Sequence, residues 1–337
     1  MVIDVHAHVI APAELYAYKA WLLSSRGAHG RGNPQVPPER LRECAEQNIA
    51  IMDSVGTDIQ LLSPRPFQLM HSEQPASVVR WWIQANNDLI AEQVRLFPQR
   101  LRGVAALPQA PSLEPAEWLD ELDRAVNELG FVGCLVNPDP SEGTGYVPPM
   151  GDEYWYPLYE RLVELDVPAI IHSAGCKNGR ESYSAHFITE ESIAVLSLLN
   201  SRVFLDFPTL KIIVCHGGGS VPYQAGRWRA ARLHPRLGEG SVLRESFDES
   251  LRRLYYDTAL YDPLALELLF KTVGPDRCLF GTEKPGSGSA RDPNTGRDFD
   301  DLKPTIESIA WLSEEQRKLI FEDNARKLFS RLDDTAR

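Results

Sequence analysis

Short apolar runs recur along this chain, each ending in polar residues and each followed by a stretch with helical periodicity. Residues 2–8, 57–62, 101–107, 132–136, 167–171, 211–215, 254–258 and 277–280 read as strands. Helical patterning fills 38–54, 75–97, 114–129, 154–165, 187–207, the residues leading to 233, 301–311 and 313–330. Continuous apolar strands separated by helices belong to a parallel sheet buried on both faces. Eight such units with no dividing linker predict an α/β fold, the (β/α)8 TIM barrel, whose active sites lie at the carboxyl ends of the strands. Residues 1–337 then form a single domain. A polar stretch at about 11–38, with Gly27, Gly30, Gly32 and several prolines, is expected to be an irregular excursion over the barrel mouth.

The residues at those strand ends carry the chemistry. In His6-Ala7-His8 the two imidazoles share one face of the first strand, about 6–7 Å apart, which suits one metal ion. His172 closes the fifth run, His216 the sixth, and Glu283 follows the eighth. Any one of these could be a hydrogen-bonded core group; their shared position at strand ends points instead to one cavity. His6, His8, His172 and Glu283 are the expected metal ligands, for one Zn2+ per subunit with Mn2+ as the second choice. Such an ion lowers the pKa of bound water to about 7 or polarises a carbonyl. Glu283 could also accept a proton, and His216, beside the glycine run 217–219, is the candidate second acid or base.

Other features bound the partners. The net charge is −12 with no basic run, which argues against nucleic acid or an anionic membrane. The five cysteines stand singly, so no disulfide framework is expected. A first strand beginning at Val2 and the lack of an apolar segment of about 18 residues predict a cytoplasmic protein. His29, His71, His186 and His234 follow no strand, although His186 is expected in a loop that could reach the mouth. Trp81 and Trp82 read as packing residues, and Cys176 lacks the neighbouring base a nucleophile needs.

Taken together, His6-Ala-His8, Ile171-His-Ser173, Cys215-His-Gly-Gly-Gly219 and Gly281-Thr-Glu-Lys-Pro-Gly286 resemble the metal-dependent amidohydrolase superfamily across the whole barrel. The stretch from Leu210 to Gly219, with Gly226-Arg227 downstream, is similar to the branch containing aminocarboxymuconate semialdehyde decarboxylase. That branch usually has Asp where this chain has Glu283. Glu there, with Asn137-Pro-Asp-Pro140 after the fourth strand, resembles the 4-oxalomesaconate hydratases of protocatechuate and gallate catabolism. The resemblance implies reversible addition of water to the double bond of a tricarboxylic oxo acid, giving 4-carboxy-4-hydroxy-2-oxoadipate. Glu283 would be the base on water, with His216 holding or protonating the substrate. Asn137 stands where a carboxylated lysine bridging two metals would be, so one ion is expected.

A small polycarboxylate substrate needs cations, and Arg65, Lys177, Arg180 and Arg227 are the candidates, with Asn137 and Tyr183 as neutral hydrogen-bonding groups. The resemblance also implies a homodimer, in which Arg236 of a partner could enter the pocket. The alternative within enzymes is a metal-dependent non-oxidative decarboxylase, which Glu283 in place of Asp disfavours. The alternative from another class is a barrel that binds a metal or carboxylate without turnover.

Overall fold

The computed structural model describes residues 1–236 and 245–334. Its strands are β1 (Ile3–His8), β2 (Ile59–Ser63), β3 (Leu101–Ala105), β4 (Gly133–Val136), β5 (Ala169–Ile171), β6 (Ile212–Val214), β7 (Tyr255–Asp257) and β8 (Cys278–Leu279). All eight form one sheet in sequence order, each parallel to the next. The Val5 amide donates to the Phe280 carbonyl at 2.9 Å and the Glu283 amide to the His6 carbonyl at 2.7 Å, which joins the last strand to the first. The expected (β/α)8 barrel is therefore observed.

Helices α1 (Ala13–Ser25), α2 (Pro38–Val55), α3 (Ala76–Leu96), α4 (Leu119–Asp123), α5 (Tyr156–Leu165), α6 (Tyr183–Leu199) and α7 (Val203–Asp206) cover the first part of the barrel. They are followed by α8 (Ala225–Leu233), α9 (Phe247–Leu251), α10 (Pro263–Val273), α11 (Lys303–Glu307), α12 (Glu314–Lys318) and α13 (Asn324–Leu328). Local chemistry explains their limits. In α10, for example, Asp262 caps the amides of Leu264 and Ala265, Pro263 fits the first turn, and Leu266, Leu269, Phe270 and Val273 form the buried face.

Apolar residues divide between the barrel interior and the strand–helix layer. Ile3, Val5, Ile59, Leu61, Val104, Ile170, Ile213 and Leu279 cluster inside, where Ala325, Leu328, Phe329 and Leu332 from α13 and its end seal the lower mouth. Val2, Ala7, Val9 and Leu62 face the helices. In β1 the pairing to β2 shifts by one residue between Asp4 and Ala7. A bulge of this kind lets Val5 and His6 both turn inward, so an apolar lower layer is followed on the same strand by a histidine upper layer.

Two local expectations are corrected. The stretch after β1 is not irregular at its start: Ala13–Ser25 is a helix because Leu15, Tyr18 and Leu22, spaced at helical intervals, are buried. Fully burying one leucine contributes roughly 1.5–3 kcal/mol, enough to hold such a helix to the barrel wall. The helix after β5 starts at Tyr183, capped by Ser182, so His186 lies in its second turn rather than in a loop. Trp82 in α3 is buried as expected, and all five cysteines are free thiols. Among the described residues, no helix is long and apolar enough to cross a membrane.

Candidate metal centre and active site

The upper interior of the barrel holds a ring of buried imidazoles. His6 and His8 come from β1, His172 follows directly on β5, and His216 stands two residues past the end of β6. Ring centroids lie 5.1 Å apart for His6–His8, 5.0 Å for His6–His172, 5.4 Å for His8–His172 and 4.9 Å for His172–His216. One donor atom from each of His6, His8, His172 and Glu283 falls within 4.8 Å of the others, and all four residues are buried.

Hydrogen bonds at the far side of each ring decide which nitrogen is open. His172 Nδ1 lies 2.7 Å from the Ser173 carbonyl, which can only accept. His8 Nδ1 lies 2.9 Å from Ser63 Oγ, whose own hydroxyl donates to the Ala7 carbonyl at 3.1 Å. His6 Nδ1 lies 2.6 Å from Asp257 Oδ2. Each imidazole therefore carries its proton on Nδ1, and the three buried Nε2 atoms have no hydrogen-bond partner. Three bare nitrogen lone pairs beside a carboxylate are the donor set of a divalent cation site, so the residues present fit a metal. Burial first, and neighbouring imidazoles second, hold His8 and His172 well below the ordinary histidine range, which keeps them neutral.

The supporting groups are as buried as the ring. Asp257, at the end of β7, also accepts from the Gly217 amide at 3.2 Å and the Ala259 amide at 3.1 Å. Burial opposes its charge, yet His6 and these bonds leave its carboxyl below the ordinary value. Gly281 makes room for the His6–Asp257 contact: a Cβ there would stand 2.9 Å from the Cβ atoms of both residues. Asp4 fastens the seam between the first and last strands by accepting from Thr282 Oγ1 at 2.7 Å and Gln60 Nε2 at 3.2 Å. Burial pushes its pKa up to about 6.

Glu283 and His216 face each other across the ring and differ in charge. Both have left-handed backbones, φ 62° and 49°, a conformation non-glycine residues adopt only when surroundings enforce it. Glu283 Oε2 accepts from Tyr261 Oη at 2.5 Å and Ser287 Oγ at 2.9 Å and lies 3.8 Å from His216 Nε2. Oε1 is left toward the ring, 3.9 Å from His8 Nε2. Burial disfavours the Glu283 carboxylate, but the hydrogen bond and charge of His216 outweigh it and hold the carboxyl well below its ordinary value. Burial likewise opposes protonation of His216; the buried carboxylate of Glu191, 2.9 Å from Nδ1, reverses that and raises its pKa well above the ordinary value. Each partner therefore favours the charged form of the other.

The expected substrate groups are less uniformly placed. Arg65, half-buried after β2, donates to the Pro285 carbonyl at 3.3 Å, and its charge is felt at His8. Tyr183 opens α6; its ring lies 5.5 Å from Phe187, which itself packs 5.0 Å from His172. Lys177 reaches Glu73 at 2.5 Å and is 43% exposed. Arg227 is exposed on α8, and its side chain forms no ion pair among the described residues. Arg180 and Arg236 are exposed as well. The expected substrate contact through Asn137 is corrected. Its amide donates to Asp139 O at 2.8 Å and His71 Nδ1 at 3.0 Å while its oxygen accepts from the Asp139 and Ala174 amides. That leaves it fixing loops.

Asp257, Glu191, Tyr261 and Ser63 were not identified from the sequence. Asp257 had a signal, since it lies at a strand end like the histidines. Glu191 and Tyr261 had none, because they reach the ring from a helix and a loop.

The family model described as amidohydrolase matches residues 3–331. The chain belongs to the amidohydrolase family. It is 39% identical to the 2-keto-4-carboxy-3-hexenedioate hydratase of a Sphingobium strain, over 99% of this chain and 97% of that one. It is 30% identical to a gamma-resorcylate decarboxylase of a Polaromonas strain, over 95% of this chain and 98% of that one. The crystal structure of 4-oxalomesaconate hydratase from Rhodopseudomonas palustris matches with a TM-score of 0.86 and 32% identity, over 99% of this amidohydrolase and 97% of that chain.

Proposed function

We propose that this amidohydrolase is a metal-dependent hydratase that adds water reversibly to the double bond of 4-oxalomesaconate, or of its conjugated keto or enol isomer. The product is 4-carboxy-4-hydroxy-2-oxoadipate. The observation that carries the reading is Glu283 facing His216, with 3.8 Å between Oε2 and Nε2, beside three imidazole Nε2 atoms that have no hydrogen-bond partner. Hydration needs a base on water and an acid for the substrate carbon, and decarboxylation needs no base on water. Full-length similarity to a hydratase selects the same reaction.

His6, His8, His172 and Glu283 would hold the ion, Zn2+ or Mn2+, which supplies Lewis-acid stabilisation of negative charge developing on a substrate oxygen. Glu283 takes a proton from water as the water oxygen bonds to the β carbon of the unsaturated ketone. The π electrons move to the 2-oxo oxygen. His216 then delivers the Nε2 proton to the α carbon as the carbonyl re-forms, so one O–H and one H are added in all. The 3.8 Å between Glu283 Oε2 and His216 Nε2 offers a path for the proton to return. Arg65, whose charge is felt at His8, is the cation we assign to a substrate carboxylate, with Lys177 and Tyr183 as further contacts. The test is to incubate the metal-replete protein with the ring-cleavage oxo-tricarboxylate and weigh the product. A gain of one water supports the hydratase; loss of CO2 would move the chain to the decarboxylase reading that its 30% identical relative favours.

A further inference from the structure

A second group of metal-type ligands lies away from the ring and shares no residue with it. Asp139, in the loop after β4, and His186 and Glu190, one turn apart on α6, bring one donor atom each to within 4.8 Å of one another. They line a cleft of about 480 Å3 together with Glu181. His186 is 1% exposed, and its Nε2 has no hydrogen-bond partner. Its Nδ1 lies 3.2 Å from Glu181 Oε1, so the Nδ1 proton is directed at that carboxylate and the Nε2 lone pair into the cleft. This repeats the carboxylate–imidazole arrangement of Asp257 and His6 in the ring.

The charge around Nε2 is negative and unbalanced. Asp139 Oδ2 lies 3.6 Å from Nε2, beyond hydrogen-bonding distance. Asp139 is fixed in place by Ser141 Oγ at 2.5 Å and the Ser141 amide at 3.0 Å on Oδ1, and by the Gly143 amide at 2.7 Å on Oδ2, which leaves a lone pair on Oδ2, the oxygen that faces Nε2. Glu190 is half-buried, and no lysine or arginine forms an ion pair with Asp139, Glu181 or Glu190 among the described residues. Burial and the Asp139 charge push the Glu190 pKa up to about 7, as expected of carboxylates crowded without a counterion.

We infer that Asp139, His186 and Glu190 form a second divalent-cation site, with Glu181 orienting the imidazole. One nitrogen and two carboxylates suit Zn2+ or Mn2+. The ion would tie the loop after β4 to α6, the helix that also carries Phe187 against His172 and Glu191 on His216. The site is thus a clamp on the element that positions the proposed acid. The competing arrangement is an imidazolium between carboxylates, which would bind no metal.

The experiment is to strip the full-length protein with chelator, titrate it with Zn2+ by calorimetry, and count zinc per chain after gel filtration. Glu190→Gln is expected to take up one ion fewer than the parent. The same loss is expected when Glu190→Gln is added to a His6→Ala/His8→Ala variant, which isolates this site from the ring. An unchanged zinc count on Glu190→Gln substitution in both backgrounds would overturn the proposal and leave the ring reading untouched. Should the ring variant fail to fold, the parent and Glu190→Gln alone decide, because glutamine is nearly isosteric at this half-buried position.

Discussion

His6 and Lys177 both stand at the carboxyl end of the barrel, yet only His6 is held in one place. His6 is 3% exposed, set inward by a bulge, admitted by Gly281 and fixed at 2.6 Å by Asp257. Lys177 hangs from a loop at the end of four methylenes, 43% exposed, with Glu73 as its near partner. The contrast separates two tasks. Proton transfer and metal binding tolerate little displacement and are built on strand ends; capture of a charged substrate tolerates more and is left to loops.

Substitutions can break or sharpen this contrast. Glu283→Gln should lower kcat by about 10²–10⁴-fold, because the base is lost while the hydrogen bonds from Tyr261 and Ser287 still hold the side chain in place. Asp257→Asn should cost about 10–100-fold in metal affinity, measured by competition with a chromophoric chelator, since the His6 tautomer is no longer enforced. Near-native affinity there would mean that β1 alone positions His6.

The ring should also show in stability against pH. His8, His172 and His71, the last at about 3, have folded pKa values below the ordinary 6.5, chiefly through burial. Below about pH 6.5 the unfolded chain binds protons that the folded chain refuses. Stability is therefore lost as pH falls, by up to about 1.4 kcal/mol per pH unit for each such histidine. His216 has the opposite sign: its folded pKa is raised, so its contribution is complete below about 6.5 and disappears as pH rises through the raised value. Denaturant melts of chelator-treated protein from pH 5 to 9 should show both limbs, and a flat acid side would contradict neutral burial of the ring. At the small end, Lys177→Ala should raise KM no more than a few-fold, as an exposed ion pair contributes about 0–1 kcal/mol. A loss comparable to that of Glu283→Gln would abolish the distinction between ring and loops.

The same contrast explains what could be read from the sequence. Strand parity and the barrel rule fix where a strand-end side chain points, so His6, His8, His172, His216 and Glu283 could be brought together from the sequence. The bulge in β1 carried no signal, because a run of buried residues looks the same with or without one. Asn137 has the strand-end position but folds back on Asp139 and Ala174, as short amides do in loops. Glu191 and Tyr261 approach from elements whose packing is long-range. The helix Ala13–Ser25 was legible in the Leu15, Tyr18 and Leu22 spacing and was hidden by the glycines that follow it.

The measurement that bears most directly on the ring is hydration of the oxo-tricarboxylate by chelator-stripped protein, followed as Zn2+ or Mn2+ is returned. Three open Nε2 atoms around Glu283 lead us to expect no turnover without the ion and full recovery on its return. Undiminished water addition by metal-free protein would contradict a metal-dependent site and leave Glu283 and His216 to act without the cation.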